Sequence, residues 1–515
     1  MKARTQTLAL CLAFLPSLVL PSLVFAQAPA AEEAATEEPK PAPEAQQFNS
    51  QHEIRIDGQR IKYKATAGTI IMRDAEDKPI AEYGYTAYVK QGADAATRPI
   101  MFAWNGGPGS ASLWLHMGVL GPQRTVVEDL DVNGKGPFRF VDNAYSILDR
   151  VDLVMVDPIG TGFSRPAGEA EGKDFWGVDN DITSVSDFMV RYLTDNDRWL
   201  SPKFILGESY GGMRGGGVSY DLLTRHNVSL NGVILVSPYM DVAGGGGVGT
   251  SNMAVGYSMT LSTYAATAWF HNALADKPSD FKAFLAEVDE FAISDYLTVL
   301  VKGRRASDAE RSAVAQQLAR YTGTSAEFWQ RANFRATEGE FLAELLRDRN
   351  QLAGRIDSRF LGYTTNALAE SMPYDPYNSA VGPAFVATFN DYYRRVLGVD
   401  IDRRYVVSGG LYKEWDRSHK DPANDYSSAA ADTGIDLGHA LIRNPDMKVL
   451  VQQGYFDLAT PYRATEYFID QLPIPDSLRG NVSIDYYHAG HMMYVHPPSL
   501  EKYRKDLVRF IDASL

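Results

Sequence analysis

Three observations predict an α/β fold with a mostly parallel central sheet. Apolar runs of strand length, "RPIMFAW", "VDLVMVD", "KFILG" and "NGVILVS", occur between residues 98 and 237, and each meets a turn rich in glycine or proline. Helix-length segments separate such runs, the pattern of parallel strands joined by crossover helices. Ahead of them, residues 52–90 alternate apolar and polar positions between Gly and Asp-Lys-Pro breaks, as antiparallel hairpin strands do.

In chain order, residues 1–26 come first, with Lys2 and Arg4 before an apolar stretch and Val24-Phe25-Ala26 at its end. This is the form of a cleaved secretory signal peptide. Pro16, Pro21 and the short apolar stretch argue against a membrane anchor, and the residue before Cys11 is not the small one of a lipoprotein signal. Residues 27–50 hold five Glu and one Lys among Ala and Pro and read as a disordered linker. Residues 51–249 and 431–515 are expected to form the α/β core. Between them, 250–430 is rich in Ala, Leu, Glu and Arg at helical spacing and reads as a helical insertion, or cap. Segments such as "DNDITSVSDFMVRYL" supply helices, with Ser, Thr or Asp placed to cap them. The sheet resumes with "MKVLVQQGYFD" and "NVSIDYYHAGHMMY", and a helix closes the chain.

Composition narrows the function. With 515 residues and 45% hydrophobic content, the chain can bury a large core. Cys11 is its only cysteine, so the mature chain has no disulfide, no thiolate metal site and no cysteine nucleophile. Net charge is −14, or −16 once Lys2 and Arg4 leave with the signal, which disfavours nucleic acid and anionic membrane as partners. No metal-ligand spacing stands out, and no cofactor is implied. Gly244, Gly246 and Gly249 fit a dinucleotide fingerprint formally, but they lie beyond their strand and lack an acidic partner, so they read as a flexible loop. Asn227-Val-Ser and Asn481-Val-Ser are glycosylation sequons, idle in a bacterial protein. The signal and the alanine-rich segment after it suggest bacterial export, to the periplasm or the medium.

Gly207-Glu208-Ser209-Tyr210-Gly211 matches G-x-S-x-G at the end of an apolar strand and before a helix. A nucleophile elbow needs that context, because glycines let the backbone turn sharply and lift the serine Oγ clear of the sheet. A tight turn selected only for small residues would share the pattern. A serine also needs a base, and in this architecture acid and histidine follow it in the chain. His491 follows a strand and a glycine in "HAGHMMY"; His488 looks structural, and His496 precedes two prolines. Asp457 follows the strand in "VLVQQGYFD" and lies between Ser209 and His491, with Asp241 and Asp485 as rivals. "WNGGPGSAS", Trp104–Ser112, offers backbone N–H groups for a developing oxyanion.

Together, "WNGGPGSAS", "DPIGTGFS", "GESYGG", "GYFDLATPY" and "AGHMMY", in that order from about Arg98 to the C-terminus, resemble the serine carboxypeptidase family of α/β-hydrolases. The resemblance implies Ser209 as nucleophile, His491 as general base and Asp457 as its orienting acid. It also implies Gly107 and Tyr210 as oxyanion-hole amides. The family binds a peptide's terminal carboxylate through an asparagine and two glutamates that share a proton; Asn105 and Glu208 match the first two. The second glutamate falls at Val119, and a family cysteine at Ser110. The expectation is therefore a serine carboxypeptidase acting on peptides through an acyl-enzyme. An esterase or acyltransferase of the same fold, and a catalytically inactive binding protein, are the alternatives.

Overall fold

The computed structural model describes residues 43–130, 135–241, 254–424 and 426–515. The signal segment 1–26, residues 27–42 of the stretch read as linker and the Gly244–Gly249 loop lie outside the described residues. The last four residues of that linker stretch open a strand, β1 (Gln47–Ile56).

β1 pairs antiparallel with β2 (Gln59–Arg73), and β2 with β3 (Pro79–Lys90). The alternation read in the sequence appears in β1 as one side turned to solvent and one partly covered. Next come β4 (Ile100–Trp104), β5 (Asp152–Val156), β6 (Lys203–Glu208), β7 (Gly232–Val236), β8 (Lys448–Gly454) and β9 (Val482–Tyr487). They continue a ten-stranded sheet in the order β1-β2-β3-β5-β4-β6-β7-β8-β9, with Arg165–Pro166 as a short strand beside β3. β5 pairs antiparallel with β3, and every pairing from β5 to β9 is parallel. The expected mostly parallel sheet with antiparallel N-terminal strands is the fold observed.

The apolar runs are continuous because these strands are covered on both faces. Phe204, Ile205 and Leu206 are all fully buried, yet successive residues enter two different cores. One core holds Phe204 and Leu206 with Met101 and Leu153. The other holds Ile205 with Phe102, Val154 and the apolar side of helix α1 (Val178–Asp195). The N-cap of α1 is Gly177, with no side-chain cap bond, where Ser, Thr or Asp was expected. Further along the chain side-chain caps do form, from Asp280, Ser307, Ser325, Thr337 and Asp375. A third core joins helical residues from Tyr257 to Leu346 to Phe456, Leu458 and Tyr462. The helix Pro376–Asp391 instead packs into the first core through Tyr377, Val381 and Phe385. Among the described residues no helix is long and apolar enough to cross a membrane.

Candidate active site

Ser209 stands between β6 and helix α2 (Tyr210–Arg225), at φ 62° and ψ −128°. A positive φ costs a side-chain-bearing residue free energy and persists only where its surroundings impose it. Here Ser209 donates its N–H to Val236 O at 2.9 Å and accepts at its carbonyl from Gly212 and Tyr239 at 2.8 and 2.9 Å. The flanking glycines are compulsory: a Cβ on Gly207 would lie 2.0 Å from the Gly211 carbonyl oxygen. The glycine loop after β4 presses against this turn, since a Cβ on Gly106 would lie 2.4 Å from the Tyr210 nitrogen. Trp104 Nε1 ties the two segments by donating to Gly211 O at 3.0 Å.

His491 and Asp457 come from the loops after β9 and β8. His491 Nδ1 lies 2.8 Å from Asp457 Oδ2, with both side chains buried. Asp457 Oδ1 accepts from the backbone of Ala459 and Thr460 at 2.8 and 3.0 Å, and Thr460 Oγ1 donates to Oδ2 at 2.7 Å. Burial alone would depress the His491 pKa, but the Asp457 charge and hydrogen bond, helped by Glu208, leave it raised. Ser209 and His491 line one cavity of about 530 Å³ together with Asn105, Gly107, Glu208 and Tyr210. They make no hydrogen bond to each other in this structure. The rivals lie elsewhere: Asp485 is on β9 and bonds Arg509, and Asp241 bridges to Asp432. His488 packs against Phe281 and Tyr455, while His496 caps the final helix region and bonds Ser499.

Asn105 and Glu208 meet directly. Asn105 Nδ2 donates to Glu208 Oε1 at 2.7 Å, and Asn105 Oδ1 accepts from the Leu115 amide at 3.1 Å. The fully buried Arg214 holds the Asn105 carbonyl at 2.9 Å and pairs with Asp181 at 2.8 Å. Val119 lies in the first core with its side chain buried, so no carboxyl approaches from there. The second partner of Glu208 is Tyr494, whose hydroxyl donates to Oε2 at 2.7 Å. Gly118 makes room for that ring, because a Cβ there would sit 2.4 Å from Tyr494 Cε2. Burial raises Glu208 to about 7, against the opposing effects of His491, Tyr494 and Asn105.

Thr460, Tyr494, Trp415 and Arg355 were not singled out from the sequence. Trp415 Nε1 donates to Tyr210 OH at 3.0 Å and packs edge-on against its ring. Thr460 carried a weak signal, standing three residues after Asp457 in the same quoted motif. Among the described residues no group of three or more His, Cys, Asp or Glu could hold a metal ion.

Comparison with known proteins finds relatives in sequence and in fold. Residues 62–295 match the family model described as serine carboxypeptidase. Serine carboxypeptidase-like 36 of Arabidopsis thaliana is 28% identical over 175 residues, 32% of this chain and 34% of that protein, so the match spans about a third of the relative's length. The crystal structure of Kex1(delta)p, a prohormone-processing carboxypeptidase from Saccharomyces cerevisiae, is similar in fold. It has 16% identity and a TM-score of 0.53 over 87% of this chain and 91% of that one. Proline iminopeptidase from Mycobacterium smegmatis covers 90% of this chain and 98% of its own, with 15% identity and a TM-score of 0.34.

Proposed function

We propose, taking the chain's similarity to the serine carboxypeptidase family as premise, that it removes the C-terminal residue of peptides by acyl transfer to Ser209. The observation that carries this reading is one cavity lined by a strained serine elbow, a histidine bonded to a buried aspartate and a glycine loop in backbone contact with the elbow. Ser209 Oγ attacks the last peptide carbonyl while His491 Nε2 takes its proton. Asp457 holds the ring through Nδ1 and stabilises the imidazolium. The N–H groups of Gly107 and Tyr210 receive the oxyanion. His491 returns the proton to the departing amine, and water then opens the acyl-enzyme by the same route.

Asn105 and protonated Glu208 are assigned to the terminal carboxylate. Val119, standing where the family has a second glutamate, favours a second reading in which the same triad serves an esterase or acyltransferase. Peptides with free and amidated C-termini separate the two, because only a carboxypeptidase needs the free carboxylate. Ser209→Ala is expected to lower kcat for peptide hydrolysis by about 10⁴-fold or more. Unchanged turnover in that variant would refute the triad, and failure of a fluorophosphonate probe to label Ser209 would favour a catalytically inactive binding protein. The N-terminal segment supports export through a signal ending at Ala26, to the periplasm or the medium. N-terminal sequencing of the secreted protein tests the cleavage site.

A further inference from the structure

Arg355 and Arg417 are the only Lys or Arg side chains lining the Ser209 cavity among the described residues. They differ in state. Arg417 donates to the Tyr412 carbonyl at 2.8 Å. The Arg355 guanidinium has no hydrogen bond or ion pair among the described residues, although its backbone is held from three sides. Its carbonyl accepts from Leu458, the residue after Asp457, at 3.1 Å, and the next carbonyl, of Ile356, accepts from the His491 amide at 2.8 Å. The Ile356 N–H donates in turn to Asp375 Oδ2 at 3.0 Å. Asp375 feels the Arg355 charge, yet it also accepts from the Tyr377 amide and forms no ion pair with the arginine. The protein thus fixes the backbone of Arg355 and Ile356 against the loops of Asp457 and His491, while the Arg355 guanidinium lines the cavity without a hydrogen bond or ion pair among the described residues.

We propose that Arg355 reads a carboxylate on the leaving amino acid. This rests on the acyl-transfer reading above. His491 hands its proton to the departing amine, and Arg355 stands on the histidine side, close enough for its charge to oppose protonation of that ring. The leaving residue therefore departs past this guanidinium. The other carboxylate-reading group, Glu208, accepts from Asn105 and Tyr494 and carries no positive charge. A guanidinium supplies a permanent positive charge and a planar fork that suits a carboxylate. The carboxylate is either the chain terminus of any peptide or the side chain of a leaving Asp or Glu.

Four peptides with one acyl portion test this: leaving Leu or Glu, each with a free or an amidated terminus. Arg355→Gln is expected to cut the kcat/KM preference for carboxylate-bearing over carboxylate-free peptides by about 10- to 100-fold, mainly through KM, with Arg355→Lys retaining part of it. If the terminus is read, both free peptides lose; if the side chain is read, both glutamate peptides lose. Equal loss on all four peptides, or no loss on any, overturns the proposal, and the thermal midpoint of each variant checks folding. Failure of the underlying reading looks different: wild-type enzyme then releases no terminal residue from any of the four.

Discussion

Glu208 precedes Ser209 by one residue, so the carboxyl assigned to substrate recognition shares a peptide unit with the nucleophile. With its pKa near 7, that carboxyl is protonated in acid and can donate to a substrate carboxylate; above that pH it ionises and repels one. Hydrolysis of free-carboxylate peptides should fall as pH rises through about 7. Tyr494 donates to Glu208 and so favours the ionised form. Tyr494→Phe should move this limb of kcat/KM to higher pH, and a limb that stays or moves lower refutes the role. The sequence brought Ser209 and His491 forward through their motifs, Asp457 through its place after a strand between them, and Asn105 through the family resemblance. Tyr494 could not, since its hydroxyl meets Glu208 across 286 residues of chain. Nor could Arg355, because an arginine in a loop carries no sign of which loops will clamp it.

At the scale of elements, the strands and the elbow were legible because a sheet covered on both faces writes itself as unbroken apolar runs. The irregular segment from about residue 401 to 433 was not, as it follows neither period. It brings Trp415 onto Tyr210 and is pinned by His419, which lies between Asp179 and Asp436, the latter at 2.8 Å. Burial opposes the charge on His419, but the two aspartates raise its pKa from 6.5 to about 10. A raised histidine stabilises the fold fully below its unfolded pKa, and that contribution disappears as pH rises through the folded one. The stability gap between wild type and His419→Gln should therefore narrow from about pH 6.5 to about pH 10 in denaturant titrations. A gap that is constant or widens over that window rejects the pin. The variant should also raise KM more than it lowers kcat, since Val407, Tyr412 and Trp415 of this segment line the cavity while no hydrogen bond joins its described residues to Ser209, Asp457 or His491.

Across the whole molecule, the three cores divide the labour. Two lie on the faces of the sheet, and the third, among the helices between residues 254 and 345, takes in Phe456 and Leu458 on either side of Asp457. Helical spacing revealed these helices, but nothing in it said that their core would reach the acid loop. Trp329 is fully buried there, so Trp329→Ala should cost about 3–5 kcal/mol of unfolding free energy. It should also depress kcat through the acid loop; an unchanged kcat in the folded variant would show that the third core does not steady Asp457. The contact of Gly106 with Tyr210 has the opposite character, being made of backbone and closed to side chains. Variation in this protein is then split into two kinds. Side chains along the cavity wall can change one at a time, while the backbone packing of the glycine loop on the elbow admits no such single change.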